Sequence, residues 1–302
     1  MSRWHDFAAR PRRLGIVAAT LATGLGIAVM AAGNAPASYA IINAAALVIG
    51  MALLAIVLRQ RGDNPHPDGA FMLAAAAGLL ATALLGITID GAARWVRIGA
   101  VSLQPGLILL PVMIVAFARR SDGAATLAMV VAAVALALQP DRAMAGTLVA
   151  GLTVVAVQRP NRQTMVALAA AIGGFCITLL RPDVLPATAF VEHVVIDAFA
   201  LSAVAGGALV TGAMLLILPA LARSNAALVF AVTWIAILVA AMLGNYPTPL
   251  LGYGGSGIIG YLLSLAALPP QVGTARDETE AENAASPRAD DRFEKRAPSW
   301  AN

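Results

Sequence analysis

The sequence has little charge, few aromatic residues and one cysteine. Asp, Glu, Lys and Arg make up 12% of its 302 residues and hydrophobic types 60%, whereas soluble domains carry about 25% charged residues. So little charge cannot cover a water-soluble surface, and so high an apolar content excludes a chain disordered throughout. A single cysteine, Cys176, excludes a disulfide scaffold and an all-cysteine metal site. Because Cys176 lies in an apolar run, we expect inert packing for it. The class that remains is a polytopic membrane protein.

The basic excess does not indicate a nucleic-acid partner. The chain has 20 Lys and Arg against 16 Asp and Glu, and 19 of the 20 bases are arginine. They occur singly or in pairs between apolar runs and form no continuous stripe, which nucleic-acid binding would require. Their distribution is better explained by the positive-inside rule of membrane proteins.

Apolar runs predict an all-α fold of about ten transmembrane helices, since a helix needs roughly 20 apolar residues to cross the hydrocarbon core. The fifth and sixth runs are separated by only four residues, so eight or nine spans remain possible. The first run is longer than the apolar part of a signal peptide, and a second span follows at once, which favours a retained helix. The runs are 14–32, 37–58, 69–89, 103–118, 123–139, 143–158, 163–180, 190–221, 226–244 and 249–268.

Counting bases in alternate connections predicts the orientation. With the N-terminus inside, 16 bases fall on the inner side and four on the outer side, namely Arg94, Arg97, Arg142 and Arg181. This bias places both termini in the cytoplasm. We therefore expect a cytoplasmic N-terminus over 1–13, a transmembrane domain over 14–268 and a disordered cytoplasmic tail over 269–302, where the composition becomes polar.

Two outer segments combine charged and amide side chains. In 90–105, Arg94 and Arg97 flank Trp95, which fits either an interfacial loop anchored at the headgroups or a bidentate site for a phosphate-bearing ligand. In 138–142, Gln139 and Asp141 lie at a helix junction, where a simple polar turn is the favoured interpretation.

A third outer segment, 247–257, places four glycines around Tyr253 and Ser256. Such glycines allow a close approach of backbone to a ligand or to a neighbouring helix, and helix packing is their usual role in membranes. No strand precedes the segment and no lysine follows it, so it is not a nucleotide-binding loop.

Together these segments resemble the SEDS family, the group of FtsW, RodA and SpoVE. The stretch 94–105 is similar to the family's Arg-Trp-Ile…Gln-Pro-Ser-Glu signature, 138–141 to its Leu-Gln-Pro-Asp, and 249–256 to its Tyr-Gly-Gly-Ser segment, in family order. The resemblance covers roughly 14–268. It implies a polymerase that joins lipid-linked disaccharide-pentapeptide units (lipid II) with a class B penicillin-binding protein. The substrate-binding residues it implies are Arg94, Trp95, Arg97, Gln104, Pro105, Gln139, Asp141, Tyr253, Gly254, Gly255 and Ser256.

The chain also departs from the family pattern at acidic positions. The family's catalytic Asp falls on Val195, and its paired Glu positions fall on Ala203 and Val204. The Glu of Gln-Pro-Ser-Glu is replaced by Leu107, and the Asn usual in the ninth span by Trp234. Four carboxylates are thereby lost, which weakens the expectation of glycosyl transfer.

Asp197 and His193 are the remaining candidates for catalysis. Asp197 is the only carboxylate well inside a predicted span, where such residues are functional by default. His193 precedes it by four residues and would lie on the same helix face. The favoured alternative is structural, with Asp197 paired to His193, Arg142 or Arg181 and joining helices.

The sequence thus predicts a shortened, SEDS-like protein of peptidoglycan synthesis in the bacterial inner membrane, serving cell division or cell shape. The expected partners are the lipid-linked precursor and a class B penicillin-binding protein. No cofactor and no metal-ligating residue is expected, although a divalent cation such as Mg is compatible with the chemistry. The alternatives are a non-catalytic scaffold or regulator of a penicillin-binding protein, and a transporter or flippase of the precursor.

Overall fold

A computed structural model describes residues 10–61, 69–89, 91–99, 101–181 and 186–270 of the chain. Most of the predicted cytoplasmic N-terminus and nearly all of the predicted tail lie outside these residues.

Within the described residues the fold is predominantly helical, and it confirms the predicted polytopic membrane architecture. Five helical segments are long and apolar enough to cross a membrane, and five more apolar helices have between 10 and 17 residues. The helices are α1 (Pro11–Ala32), α2 (Ala37–Arg61), α3 (Gly69–Leu85), α4 (Pro105–Arg119), α5 (Gly123–Leu138), α6 (Arg142–Gln158), α7 (Arg162–Leu179), α8 (Val194–Leu201), α9 (Ala203–Leu215), α10 (Asn225–Leu243) and α11 (Gly255–Leu265), with a 3₁₀ helix at Leu218–Ala222.

Successive passes alternate in direction, which sorts the connections between two ends of the bundle. The connections 33–36, 86–104, 139–141, 180–193 and 244–254 lie at one end, here called the sheet end. At the opposite end, Arg12 at the start of α1 donates to the carbonyl of Leu268 at 2.8 Å, and Arg119 at the end of α4 donates to that of Ala267 at 3.1 Å. These arginines bind the carbonyls that follow α11, which no further helical turn can satisfy.

A small antiparallel sheet lies within the predominantly helical fold, a local element that the sequence analysis does not predict. Helix α3 ends at Leu85 rather than near 89, and β1 (Ile87–Ile89), β2 (Ala92–Ile98) and β3 (Val101–Leu103) follow. Turns at Gly91 and Gly99, with φ of +83° and +61°, connect the strands. β-Branched residues are frequent in these strands, with Ile87, Thr88 and Ile89 making up β1, and glycine tolerates positive φ, so the segment favours hairpins over helix.

The predicted eighth span, 190–221, is not one continuous helix. Ser202 is extended (φ −168°, ψ 156°) and separates α8 from α9, while its Oγ accepts a hydrogen bond from the backbone N–H of Ala205 at 3.0 Å. The ring of Phe199 then lies against Gly206, where an added Cβ would be 2.3 Å from the ring carbons. The serine caps the second helix, and the missing side chain at 206 makes room for the bend.

Small residues allow the helices to approach closely in the core. An added Cβ at Gly260 of α11 would be 1.9 Å from the carbonyl oxygen of Leu107 on α4. Beside this contact, Trp234 is fully buried, and its indole N–H donates to Ser264 Oγ at 3.3 Å. Van der Waals contact of this kind replaces the hydrophobic effect as the force between helices in lipid.

Cys176 does not pack inside the bundle as expected. It lies on an exposed face of α7. Only 28% of the residues of that helix are buried in the protein, so the thiol lies on the outer surface of the bundle.

Replacing Gly260 with alanine should destabilise the protein. The new methyl would meet the backbone of α4, which cannot yield as a flexible side chain does, and overpacking of this kind costs about 1–3 kcal/mol. Thermal unfolding of the purified protein in detergent should show a lower Tm.

Gly173→Ala on α7 is the matched control, because nothing lies within 4 Å of its added Cβ. Its Tm should stay the same or rise, since alanine has the higher helix propensity. Equal Tm values for the two variants would contradict the close α4–α11 contact.

Candidate functional site

Gln104 lies at the centre of a buried polar cluster at the sheet end. Its backbone N–H donates to Ser256 Oγ at 2.9 Å, and its side-chain Nε2 donates to the Tyr246 hydroxyl oxygen at 2.8 Å and to Asp141 Oδ2 at 3.4 Å. Gln104 has 3% of its surface exposed and Asp141 none. We call Arg94, Gln104, Asp141, Tyr246 and Ser256 the polar centre.

Asp141 and Arg94 position the turn that enters the polar centre from α5. Asp141 caps α6, and its Oδ1 accepts the N–H of Met144 at 3.1 Å. The guanidinium of Arg94, in β2, donates to the carbonyl of Pro140. Gln139 fixes the same turn to α3 through a 2.8 Å bond to the carbonyl of Leu79. The Arg94 and Gln139 side chains therefore bind the protein's own backbone.

Tyr246 belongs to the polar centre, although no sequence motif indicated it. It lies in the connection between α10 and α11 and is 3% exposed. Burial raises the pKa of its phenol well above 10, the charge of Asp141 raises it further, and Arg94 and Gln104 act in the other direction. The hydroxyl is therefore neutral at physiological pH and available for the hydrogen bond with Gln104.

Tyr253 and its neighbouring glycines form a second group, beside α2 rather than in the polar centre. The ring of Tyr253 stacks on that of Tyr39, with centroids 3.8 Å apart and planes at 11°. Buried Asn43 donates to the carbonyl of Gly252 at 2.9 Å and accepts the N–H of Gly254 at 3.1 Å. Gly254 has a φ of +151°, which suits glycine.

Sequence reasoning missed Asn43 and Tyr39, yet a signal for Asn43 was present. It is the only amide in the predicted span 37–58, and polar residues inside membrane spans usually have a structural or functional partner.

The other predicted substrate-binding residues differ in exposure. Arg97 is exposed on β2, whereas Trp95 on the same strand is half-buried. Pro105 and Gly255 are the first residues of α4 and α11. Of the two arginines predicted to bind substrate, Arg94 is therefore buried and Arg97 is exposed.

His193 and Asp197 do not form the expected pair. His193 precedes α8 in a left-handed conformation, with a φ of +55°, and its Nε2 lies 2.9 Å from Asn245 Oδ1. Asp197 is exposed on α8. Arg142 binds the carbonyls of Thr178 and Arg181 instead. Among the described residues, neither His193, Arg142 nor Arg181 pairs with Asp197.

Asp197 lines a cavity of about 310 Å³ between the end of α1 and α8. This volume is at the lower limit of small-molecule sites, about 300 Å³. The lining residues are Val29, Met30, Gly33, Ala189, Phe190, Val194, Asp197, Ala198 and Leu201.

Apolar side chains occupy the positions at which the family carries acidic residues. Val195 is half-buried, while Ala203 and Val204 are exposed. In the described part of the chain, no three His, Cys, Asp or Glu side chains are close enough to hold a metal ion. Binding of a divalent cation such as Mg stays a prediction.

The helix order, the sheet and the buried polar centre define a polytopic helical membrane protein. Its fold is similar to that of the rod shape determining protein RodA of Thermus thermophilus, with a TM-score of 0.59, 20% identity and coverage of 83% of this chain and 93% of that chain. A crystal structure of an aspartate-to-alanine variant of the same RodA gives a TM-score of 0.58 at 20% identity, covering 83% and 94%. No protein-family model matches the chain, and no curated protein matches it significantly. The chain therefore has a RodA-like fold.

Tyr246→Phe should destabilise the sheet end. It removes the acceptor of the Gln104 amide at a buried position, and an unsatisfied buried donor costs about 1–3 kcal/mol. Thermal unfolding should report a lower Tm.

Tyr253→Phe is the control, because it keeps the ring stacked on Tyr39 and the Tyr253 hydroxyl has no hydrogen bond with another described residue. Its Tm should equal that of the unaltered protein. An unchanged Tm for Tyr246→Phe would show that Gln104 does not depend on this hydroxyl.

Proposed function

We propose that the protein is a SEDS-like component of peptidoglycan synthesis in the bacterial inner membrane, and that it binds the lipid-linked disaccharide-peptide precursor. In this proposal it acts with a class B penicillin-binding protein, as a binding and regulating component rather than as the polymerase.

The observation that carries the proposal is the convergence of the three signature segments. The stretches 94–105, 138–141 and 249–256 lie far apart in sequence, and Gln104 and Ser256 are 152 positions apart. Gln104 nevertheless contacts both Asp141 and Ser256, and Arg94 contacts Pro140. The RodA-like fold supports the same assignment independently of these motifs.

The chemistry of the precursor suits the surface beside this centre. A pyrophosphate needs cations, and exposed Arg97 presents a guanidinium next to half-buried Trp95 at the sheet end. The polyprenyl chain needs an apolar surface, which the helix faces offer within the membrane. Arg94 and Asp141 stabilise the region beside this surface, because they fix the turn at Pro140.

The lost carboxylates favour binding over polymerisation. Glycosyl transfer needs a general base within reach of the acceptor hydroxyl. Val195, Ala203 and Val204 occupy the positions where the family's acidic residues are expected, and none of them can accept a proton. Regulation of a partner polymerase requires only that the precursor or the partner be bound.

Arg97→Gln should weaken binding of labelled lipid II to the purified protein by about tenfold or more, since a charge-assisted hydrogen bond contributes about 1.5–3 kcal/mol and each ~1.4 kcal/mol is a factor of about ten. The measurement is a fluorescence titration in nanodiscs. Arg162→Gln is the control, because Arg162 is also exposed but lies at the opposite end. Equal affinity for the Arg97 and Arg162 variants would contradict a pyrophosphate site at β2.

A polymerisation assay tests the absence of catalysis. With labelled lipid II, Mg and a class B penicillin-binding protein, we expect no glycan strand to form. Polymer that disappears in Asp197→Asn would show instead that Asp197 has replaced the missing base. Failure to bind lipid II at all would reject the binding role, which the first measurement tests separately.

A further inference from the structure

The cavity between α1 and α8 has an unusual lining. Of the nine residues that line it, Asp197 is the only one with a charged or hydrogen-bonding side chain. The others are aliphatic residues, small residues and Phe190. A single carboxylate in an otherwise apolar wall contributes little to packing, but it offers a ligand one specific polar contact.

The carboxylate of Asp197 has no hydrogen-bond or ion-pair partner among the described residues, and two of its expected partners, Arg142 and His193, make other contacts. Arg142 donates to the carbonyls of Thr178 and Arg181, and His193 contacts Asn245. Glu192, the neighbouring acid, accepts the backbone N–H of Thr188 at 2.6 Å. Asp197 therefore presents an unneutralised acceptor to whatever enters the cavity.

This charge excludes one class of occupant and favours another. A ligand whose charged groups are all anionic, such as a pyrophosphate, would be repelled, because among the described residues no guanidinium or ammonium lines the cavity. A primary ammonium would be attracted and could donate hydrogen bonds to Asp197. Val29, Met30 and Leu201 offer the same ligand an apolar surface beside that acceptor.

We propose that this cavity binds a phospholipid with a primary ammonium headgroup, phosphatidylethanolamine, with the ammonium on Asp197 and part of an acyl chain against Val29, Met30 and Leu201. The cavity lies at the sheet end, since Gly33 and Ala189 of its lining belong to sheet-end connections. A lipid headgroup would be found at this level of the bundle. The site is separate from the polar centre and does not depend on the proposed function.

The site also has a structural link to the glycine segment. Phe190, in the cavity wall, contacts Tyr39 edge-to-face with centroids 6.4 Å apart, and its carbonyl accepts the N–H of Tyr253 at 2.6 Å. A lipid bound here would contact the wall that holds Tyr39 and Tyr253 in their stack. Lipid occupancy should therefore stabilise the sheet end as a whole.

Native mass spectrometry of the full chain tests the proposal, with phosphatidylethanolamine and phosphatidylglycerol of identical acyl chains offered at equal concentration. The unaltered protein should retain phosphatidylethanolamine about three- to fivefold in preference, the range of an exposed charge pair. Asp197→Asn should bring the ratio close to one, and Asp197→Lys should invert it.

Three matched measurements make the result decisive. Asp197→Glu should keep the preference, and so should Glu192→Gln, which removes a neighbouring carboxylate outside the cavity lining. Phosphatidylcholine, whose quaternary ammonium cannot donate a hydrogen bond, should bind more weakly than phosphatidylethanolamine. An unchanged lipid ratio in Asp197→Asn and Asp197→Lys would overturn the proposal. Displacement of phosphatidylethanolamine by lipid II from the unaltered protein would also overturn this lipid-site proposal, but it would leave the precursor-binding proposal intact.

Discussion

Hydrogen bonding without water is the constraint on which this structure depends. In the apolar interior of a membrane protein each buried polar group must find its partner within the chain. Gln104 meets this requirement by joining three distant segments, since its backbone binds Ser256 and its side chain binds Tyr246 and Asp141. The start of α4, the turn before α6 and the start of α11 are thereby held together.

The opposite end of the bundle is held together by arginines that bind backbone carbonyls. There the arginines of α1 and α4 bind backbone carbonyls after α11, so the first and last passes are joined by Arg12 and the fourth and last by Arg119. Arginine is suited to this role because its planar fork carries five donors. The sheet end combines the same kind of contact, from Arg94 and Arg142, with amides, hydroxyls and a buried carboxylate.

The helical passes and the location of the polar segments could be predicted from the sequence, because apolar length and charge bias are properties of single segments. The sheet could not, since β1 and β3 have three residues each and lie within apolar runs that also fit helix ends. Tyr246 and Asn43 were missed because their partners lie far away in sequence. The His193–Asp197 pair failed for a local reason: His193 is left-handed and precedes α8, so helical spacing does not apply to it.

The break at Ser202 determines the shape of the eighth pass. Helix α8 has eight residues, about 12 Å of helix, which is less than half of a hydrocarbon core of roughly 30 Å. The eighth pass therefore bends at Ser202, whose hydroxyl supplies the acceptor that the Ala205 N–H needs. The ring of Phe199 fills the space over Gly206 on the inside of the bend. One aromatic ring thus lies between the two helices of this pass.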